Sequence, residues 1–148
     1  MRLIVDTSVL VGELLRAAGR ERLGDDRLDL FVPERMRHEL DVEIPRRVGA
    51  FARRHRLDAR LAGDLVAACL EAVDTNVVVL DEAVYAAAED EARDRSLRDP
   101  DDWPVVAAAL VVSADIWTND NDFLGTGIAT WTTDSLRAWL KRQPSTAP

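Results

Sequence analysis

Six acidic residues stand at or near the ends of short apolar runs. Asp6 follows Leu3-Ile4-Val5, and Asp120 and Asp122 follow Ile116-Trp117-Thr118. Asp101 and Asp102 open an Ala/Val-rich stretch, and Glu39 lies a few residues beyond Leu30-Phe31-Val32. Carboxylates gathered in one crevice repel one another unless a positive charge lies between them, and a divalent cation with oxygen ligands is the usual solution. Such an ion activates water and offsets charge on phosphate oxygens, so the set points to hydrolysis of a phosphodiester. Singly, each acid has a plainer explanation as a helix cap or a turn residue. Capping explains one of Asp101 and Asp102, but not both. The coincidence of three such sites in one chain favours chemistry.

The elements that must position these acids can be read from apolar periodicity. Residues 2–5 form a short buried strand, and Thr7 or Ser8 can cap a helix to about residue 18. A second strand over 29–32 leads into a helix from Pro33 to about Glu43, which Pro45 helps to end. Phe51, Leu57, Leu61, Leu65, Cys69 and Val73 recur mostly at fours, a helical signal with a break near Leu57-Asp58. Residues 76–80 are β-branched and strand-like, and Asp81 opens a helix with Val84, Ala88 and Ala92 on one face. Pro100 keeps residues 96–100 in a loop. Asp101 or Asp102 then caps a buried helix to about Ser113. Strands over 115–118 and 128–131 and a helix over 133–141, capped by Thr132 or Thr133, complete the chain. Strands alternating with helices define an α/β domain with a mainly parallel, roughly five-stranded sheet. One domain over 1–141 and a disordered tail over 142–148 are expected.

Composition narrows the partners. At 148 residues with 47% hydrophobic side chains, the chain can bury a full core, and no apolar run approaches the roughly 20 residues of a membrane-spanning helix. A single cysteine, Cys69, rules out a disulfide within the chain, and a cytoplasmic protein is the default. The net charge of −8 argues against binding nucleic acid through the whole surface. Eight arginines nevertheless fall between Arg35 and Arg60, and Arg46, Arg47, Arg53 and Arg54 among them are candidates for phosphate contacts. The alternative is a solvated helix face in an arginine-rich chain. His38 is next to Glu39, yet adjacent helical positions point to different faces.

Three common explanations of Val5-Asp6-Thr7-Ser8 fail. No glycine-rich turn follows the first strand, no Gly-Lys-Ser/Thr occurs, and Ser8 stands where an aspartyl-phosphate phosphatase would have a second Asp. The motifs instead resemble those of PIN-domain nucleases, a family that includes the ribonuclease toxins of bacterial toxin–antitoxin pairs. The matching residues are Val5-Asp6-Thr7-Ser8-Val9-Leu10, Glu39 in Arg37-His38-Glu39-Leu40, Asp102 before the alanine-rich helix, and Thr118-Asn119-Asp120-Asn121-Asp122-Phe123.

The resemblance implies a three-layer α/β/α sandwich, one or two Mg²⁺ or Mn²⁺ ions, and cleavage of single-stranded RNA. It aligns Asp6, Glu39, Asp102 and Asp120 with the family's acidic quartet and Asp122 with a frequent fifth acid. Asp6, Asp102, Asp120 and Asp122 would be metal ligands, and Thr7 and Thr118 would support them. Asp99 and Asp101 compete with Asp102 for the third position, Asp102 being preferred because it directly precedes the buried helix. Glu34 and Glu43 compete with Glu39. An antitoxin protein and a homodimer are the partners implied besides RNA. Two other readings stay open: a PIN-like module that binds RNA or protein without cutting, and a phosphatase for small substrates.

Overall fold

The computed structural model describes residues 1–143; most of the expected tail, from residue 144 on, lies outside the described residues. Five strands, β1 (Arg2–Val5), β2 (Asp29–Pro33), β3 (Val77–Leu80), β4 (Asp115–Trp117) and β5 (Thr130–Trp131), form one parallel sheet. Its order is β3-β2-β1-β4-β5. Because side chains alternate along a strand, β1 feeds two cores: Leu3 and Val5 face one layer and Ile4 the other, all three fully buried. Such two-sided burial is why β1 is a continuous apolar run from Leu3 to Val5.

Helices α1 (Thr7–Leu14), α2 (Ala17–Leu23), α3 (Glu34–His55), α4 (Ala59–Asn76) and α8 (Thr133–Arg142) cover the Leu3 face. Helices α5 (Glu82–Tyr85), α6 (Glu89–Arg95) and α7 (Trp103–Val112) cover the Ile4 face. The result is the expected three-layer sandwich. Helix α7 is apolar around its circumference and correspondingly buried from Trp103 to Ala109. Among the described residues, no helix is long and apolar enough to cross a membrane.

Several local expectations are corrected. Asp6, not Thr7 or Ser8, caps α1 by accepting from the Ser8 N–H. Helix α1 then stops at Leu14, and α2 begins after an extended Arg16. The helices approach so closely that a Cβ on Gly19 would lie 2.1 Å from the Glu13 carbonyl oxygen, and the buried Glu13 carboxylate pairs with Arg22 across the corner. The segment after Asp81 is broken by a 3-10 turn at Ala86–Ala88, leaving Val84 exposed while Tyr85 is buried against Trp103.

The largest departure is at Pro45, which sits inside α3 instead of ending it. Proline lacks the N–H that would bond the carbonyl four residues back. That carbonyl belongs to exposed Asp41 and Pro45 is itself exposed, so water can take the missing donor's place. Neighbouring Leu40, Ile44 and Val48 are fully buried, and this apolar stripe carries the helix through. Helix α3 ends where a break is expected, at a left-handed Arg56, and Asp58 caps α4 through the Leu61 N–H.

Candidate active site

Strand β1 is the pivot of the sheet, with β2 on one side and β4 on the other. In open α/β sheets the crevice beyond the carboxyl ends of the strands at this reversal is where ligands bind. Asp6 leaves β1 at that point, and its backbone N–H donates to the Trp117 carbonyl of β4 at 3.0 Å. Thr118 leaves β4 beside it. Its buried hydroxyl donates to Asp6 Oδ2 at 2.8 Å and accepts the Asp120 N–H at 2.9 Å. Asp6 Oδ2 also accepts from the Ser8 hydroxyl at 2.9 Å. One hydroxyl thus ties the β4 loop to the carboxylate at the end of β1.

A cavity of about 480 Å³ opens here, lined by Asp6, Thr7, Glu39 and Asp102, with Asp101, Glu43, Arg35 and Arg47 also on its wall. The rivals for each position separate by what their carboxylates already do. Asp99 caps the turn Pro100–Asp102 by accepting from the Asp101 N–H at 2.9 Å. Asp101 therefore caps nothing, contrary to expectation. Asp102 occupies the N-cap position of α7 with no side-chain cap bond, so its carboxylate is free to face the cavity. Glu34 accepts from the Glu82 N–H at 3.2 Å. Glu43 is held by Arg46 at 2.8 Å and Arg47 at 3.5 Å, and the Arg46 hydrogen bond holds its carboxyl below the usual range. Glu39 has no hydrogen bond or ion pair among the described residues.

Asp120 and Asp122 do not line the cavity, but their charges reach it. The Asp102 carboxyl is pushed up to about 7, chiefly by burial and then by the charges of Asp99, Asp6, Asp120 and Asp122. None of Asp6, Glu39, Asp102, Asp120 or Asp122 pairs with an arginine among the described residues. Asp120 Oδ1 accepts the Asp122 N–H at 2.9 Å, which fixes the loop. Among the described residues no three carboxylates, imidazoles or thiols stand close enough to hold one ion between them. Asp6, Glu39 and Asp102 share the cavity, Asp120 and Asp122 act on it through their charge, and together they do not form a closed cage. An all-oxygen donor set on an open cavity fits a hard divalent ion that retains several of its waters.

The other candidates scatter. Thr7 lines the cavity and its hydroxyl lies 3.5 Å from Met36 Sδ. Arg47 lines the same cavity and Arg54 an adjoining groove, whereas Arg46 and Arg53 line neither. His38 does not line the cavity and lies on a shallow depression beside it that shares Glu39 and Glu43. Ser8 was not among the candidates, although an Asp with Ser two residues on is a recurrent local hydrogen-bonding pattern.

Thr118→Val keeps the shape, removes the hydroxyl and orphans the Asp120 N–H. Partners that orient a ligand typically contribute 10–100-fold in metal affinity or activity. If Asp6 is a metal ligand, the variant should lose about 30-fold in Mn²⁺ affinity with the melting temperature little changed, checked by calorimetric titration beside thermal unfolding.

An open parallel sheet with an acidic crevice at its reversal point defines an α/β domain whose ligand site lies at that switch point. The chain belongs to the PIN-domain family, whose model matches residues 4–141. PIN domains are generally nucleases and typically use divalent metals. Among solved structures, the chain is similar to PAE2754 from Pyrobaculum aerophilum, with a TM-score of 0.62 at 19% identity over 97% of this chain and 91% of that one. At that identity the likeness speaks for the fold. No curated protein matches the chain.

Proposed function

We propose that the protein is a Mg²⁺- or Mn²⁺-dependent endoribonuclease, acting as the toxin of a toxin–antitoxin pair. The observation that supports it best is the set of carboxylates without basic partners at the switch point, with one of them, Asp102, pushed up by burial and then by its acidic neighbours. A protein gains nothing in stability from such a cluster; a bound cation gives it a use.

Asp6, Asp102 and Asp120, with Asp122 behind them, would hold the ion directly or through its waters. When bound, the ion supplies an activated water and neutralises charge building on the phosphate. Glu39, on the same cavity and without a partner, would orient the attacking water or accept its proton. Thr118 and Ser8 hold Asp6 in one orientation, which lowers the cost of organising the site at the moment of reaction. Arg35 and Arg47 on the rim offer donors to non-bridging phosphate oxygens.

The test is incubation of the purified protein with a labelled single-stranded RNA. Cleavage in Mn²⁺ or Mg²⁺ that stops with EDTA and returns on adding metal supports the reading. Cleavage indifferent to chelation, or hydrolysis of aryl phosphates with RNA left intact, overturns it.

A further inference from the structure

A second groove of about 370 Å³ adjoins the acidic cavity, and Arg47 lines both. Its walls are the α1–α2 corner, which contributes Arg16, and the far half of α3, which contributes Arg47, Phe51, Arg54 and His55. No carboxylate lines it. In a chain of net charge −8, a groove with three arginines and a histidine is a local reversal of the field. Arg54 and His55 have no ion pair among the described residues, and Arg16 spends one N–H on the Gly12 carbonyl at 3.0 Å. Their remaining donors are available.

Helical geometry sets the line of the groove. Glu39, Glu43, Arg47, Phe51 and Arg54 follow one another at steps of three and four, so they share a face of α3. From Glu39 to Arg54 that face runs about 22 Å at 1.5 Å per residue. This length suits about four extended nucleotides, the low end of single-strand sites. Phe51 and His55 add a flat surface, their ring centroids 4.2 Å apart and their planes 33° from parallel. Bases splayed from a single strand stack on such rings, whereas those of a duplex stay paired.

We propose that single-stranded RNA reaches the acidic cavity along this groove, with its phosphates against Arg47, Arg54 and Arg16 and one base stacked on the Phe51–His55 pair. The assignment rests on RNA being the substrate, and it divides the basic stretch. Arg47 and Arg54 contact the strand, while Arg46 and Arg53, one position away on the same helix, do not. Arg16, distant in sequence, joins the first pair.

Binding in EDTA separates this proposal from the cleavage reading, because no bond is cut and no metal is needed. The probe is a fluorescein-labelled 12-nucleotide oligouridylate, followed by anisotropy against salt concentration. Arg16→Ala/Arg54→Ala is expected to weaken binding about tenfold and to flatten the logarithmic salt dependence by roughly 1.4, two phosphate contacts' worth. Phe51→Ala should weaken it about fivefold with the salt slope unchanged, as loss of stacking requires. Arg46→Ala/Arg53→Ala removes the same charge, both from α3, and should change affinity less than twofold. Equal losses in the two arginine pairs would overturn the proposal, since charge alone would then explain binding. So would equal affinity for a 12-base-pair RNA duplex, or no RNA binding where polyglutamate binds. If RNA binds as described but is never cut, the groove stands and the nuclease reading fails.

Discussion

Asp6→Asn is expected to lower metal-dependent RNA cleavage by more than about 100-fold while the protein stays folded. The magnitude follows from position. A residue such as Thr118, which only orients a ligand, is worth 10–100-fold, so the ligand it orients is worth at least the top of that range. Folding survives because Asn caps helices about as well as Asp. Its side-chain oxygen can keep the bond from the Ser8 N–H that closes the first turn of α1. The hydroxyls of Ser8 and Thr118 can turn to accept from the new amide. What disappears is the negative charge at the end of β1. Kinetics at saturating Mn²⁺ beside thermal unfolding check both halves. A wild-type rate in the variant would remove Asp6 from the chemistry.

Asp102→Asn is expected to inactivate the enzyme yet stabilise the metal-free protein, and the sign of the pH dependence is fixed in advance. The Asp102 carboxyl sits near 7 in the folded chain against an ordinary value of 3.8. Between those values the folded state holds a proton that the unfolded state has released, so stability falls as pH rises through this window. Below about 4 both states are protonated and wild type and variant should melt alike. Above 7 the full cost of the buried charge is present and Asn avoids it. Water at the cavity mouth screens part of that cost, so we expect about 2 kcal/mol, or roughly 6 °C in melting temperature, at pH 8 in EDTA. Saturating Mn²⁺ should shrink or invert the difference, because only wild type gains from the ion. Melting curves of both proteins at pH 4, 6 and 8 with and without metal decide it. A difference independent of pH would mean that Asp102 does not carry the raised carboxyl.

The sequence made the framework legible for a plain physical reason. Strands buried on both faces are short apolar runs, and acids that interrupt them, such as Asp6 after Val5, announce the strand ends. Burial of α7 was equally readable from its unbroken Ala/Val composition. Choices among neighbouring acids were not, since Glu39 and Glu43 are four apart on one helical face. Only the tertiary structure shows Glu43 held by two arginines and Glu39 left free. Similarly, Asp99 and Asp102 differ by which one caps a turn, a matter of backbone geometry that composition does not encode.

Pro45 has the widest consequence of these. Ending α3 there hides the continuous helix that carries Arg47 and Arg54 along the two cavities, which Arg46 and Arg53 do not line. Propensity lost to burial at Leu40, Ile44 and Val48. The contribution of Arg16 was beyond reach from sequence, because it depends on α1 stopping at Leu14 beside the far end of α3.

The central claim is that these carboxylates exist to bind a divalent cation, and calorimetric titration of the metal-free protein with Mn²⁺ at pH 7.5 tests it most directly. Binding should be saturable, weaken at least tenfold in Asp120→Ala and be lost in Asp6→Asn. Affinity should also fall as pH drops below 7, where a proton competes for Asp102. Binding no better than nonspecific, or identical isotherms for wild type and both variants, would contradict it.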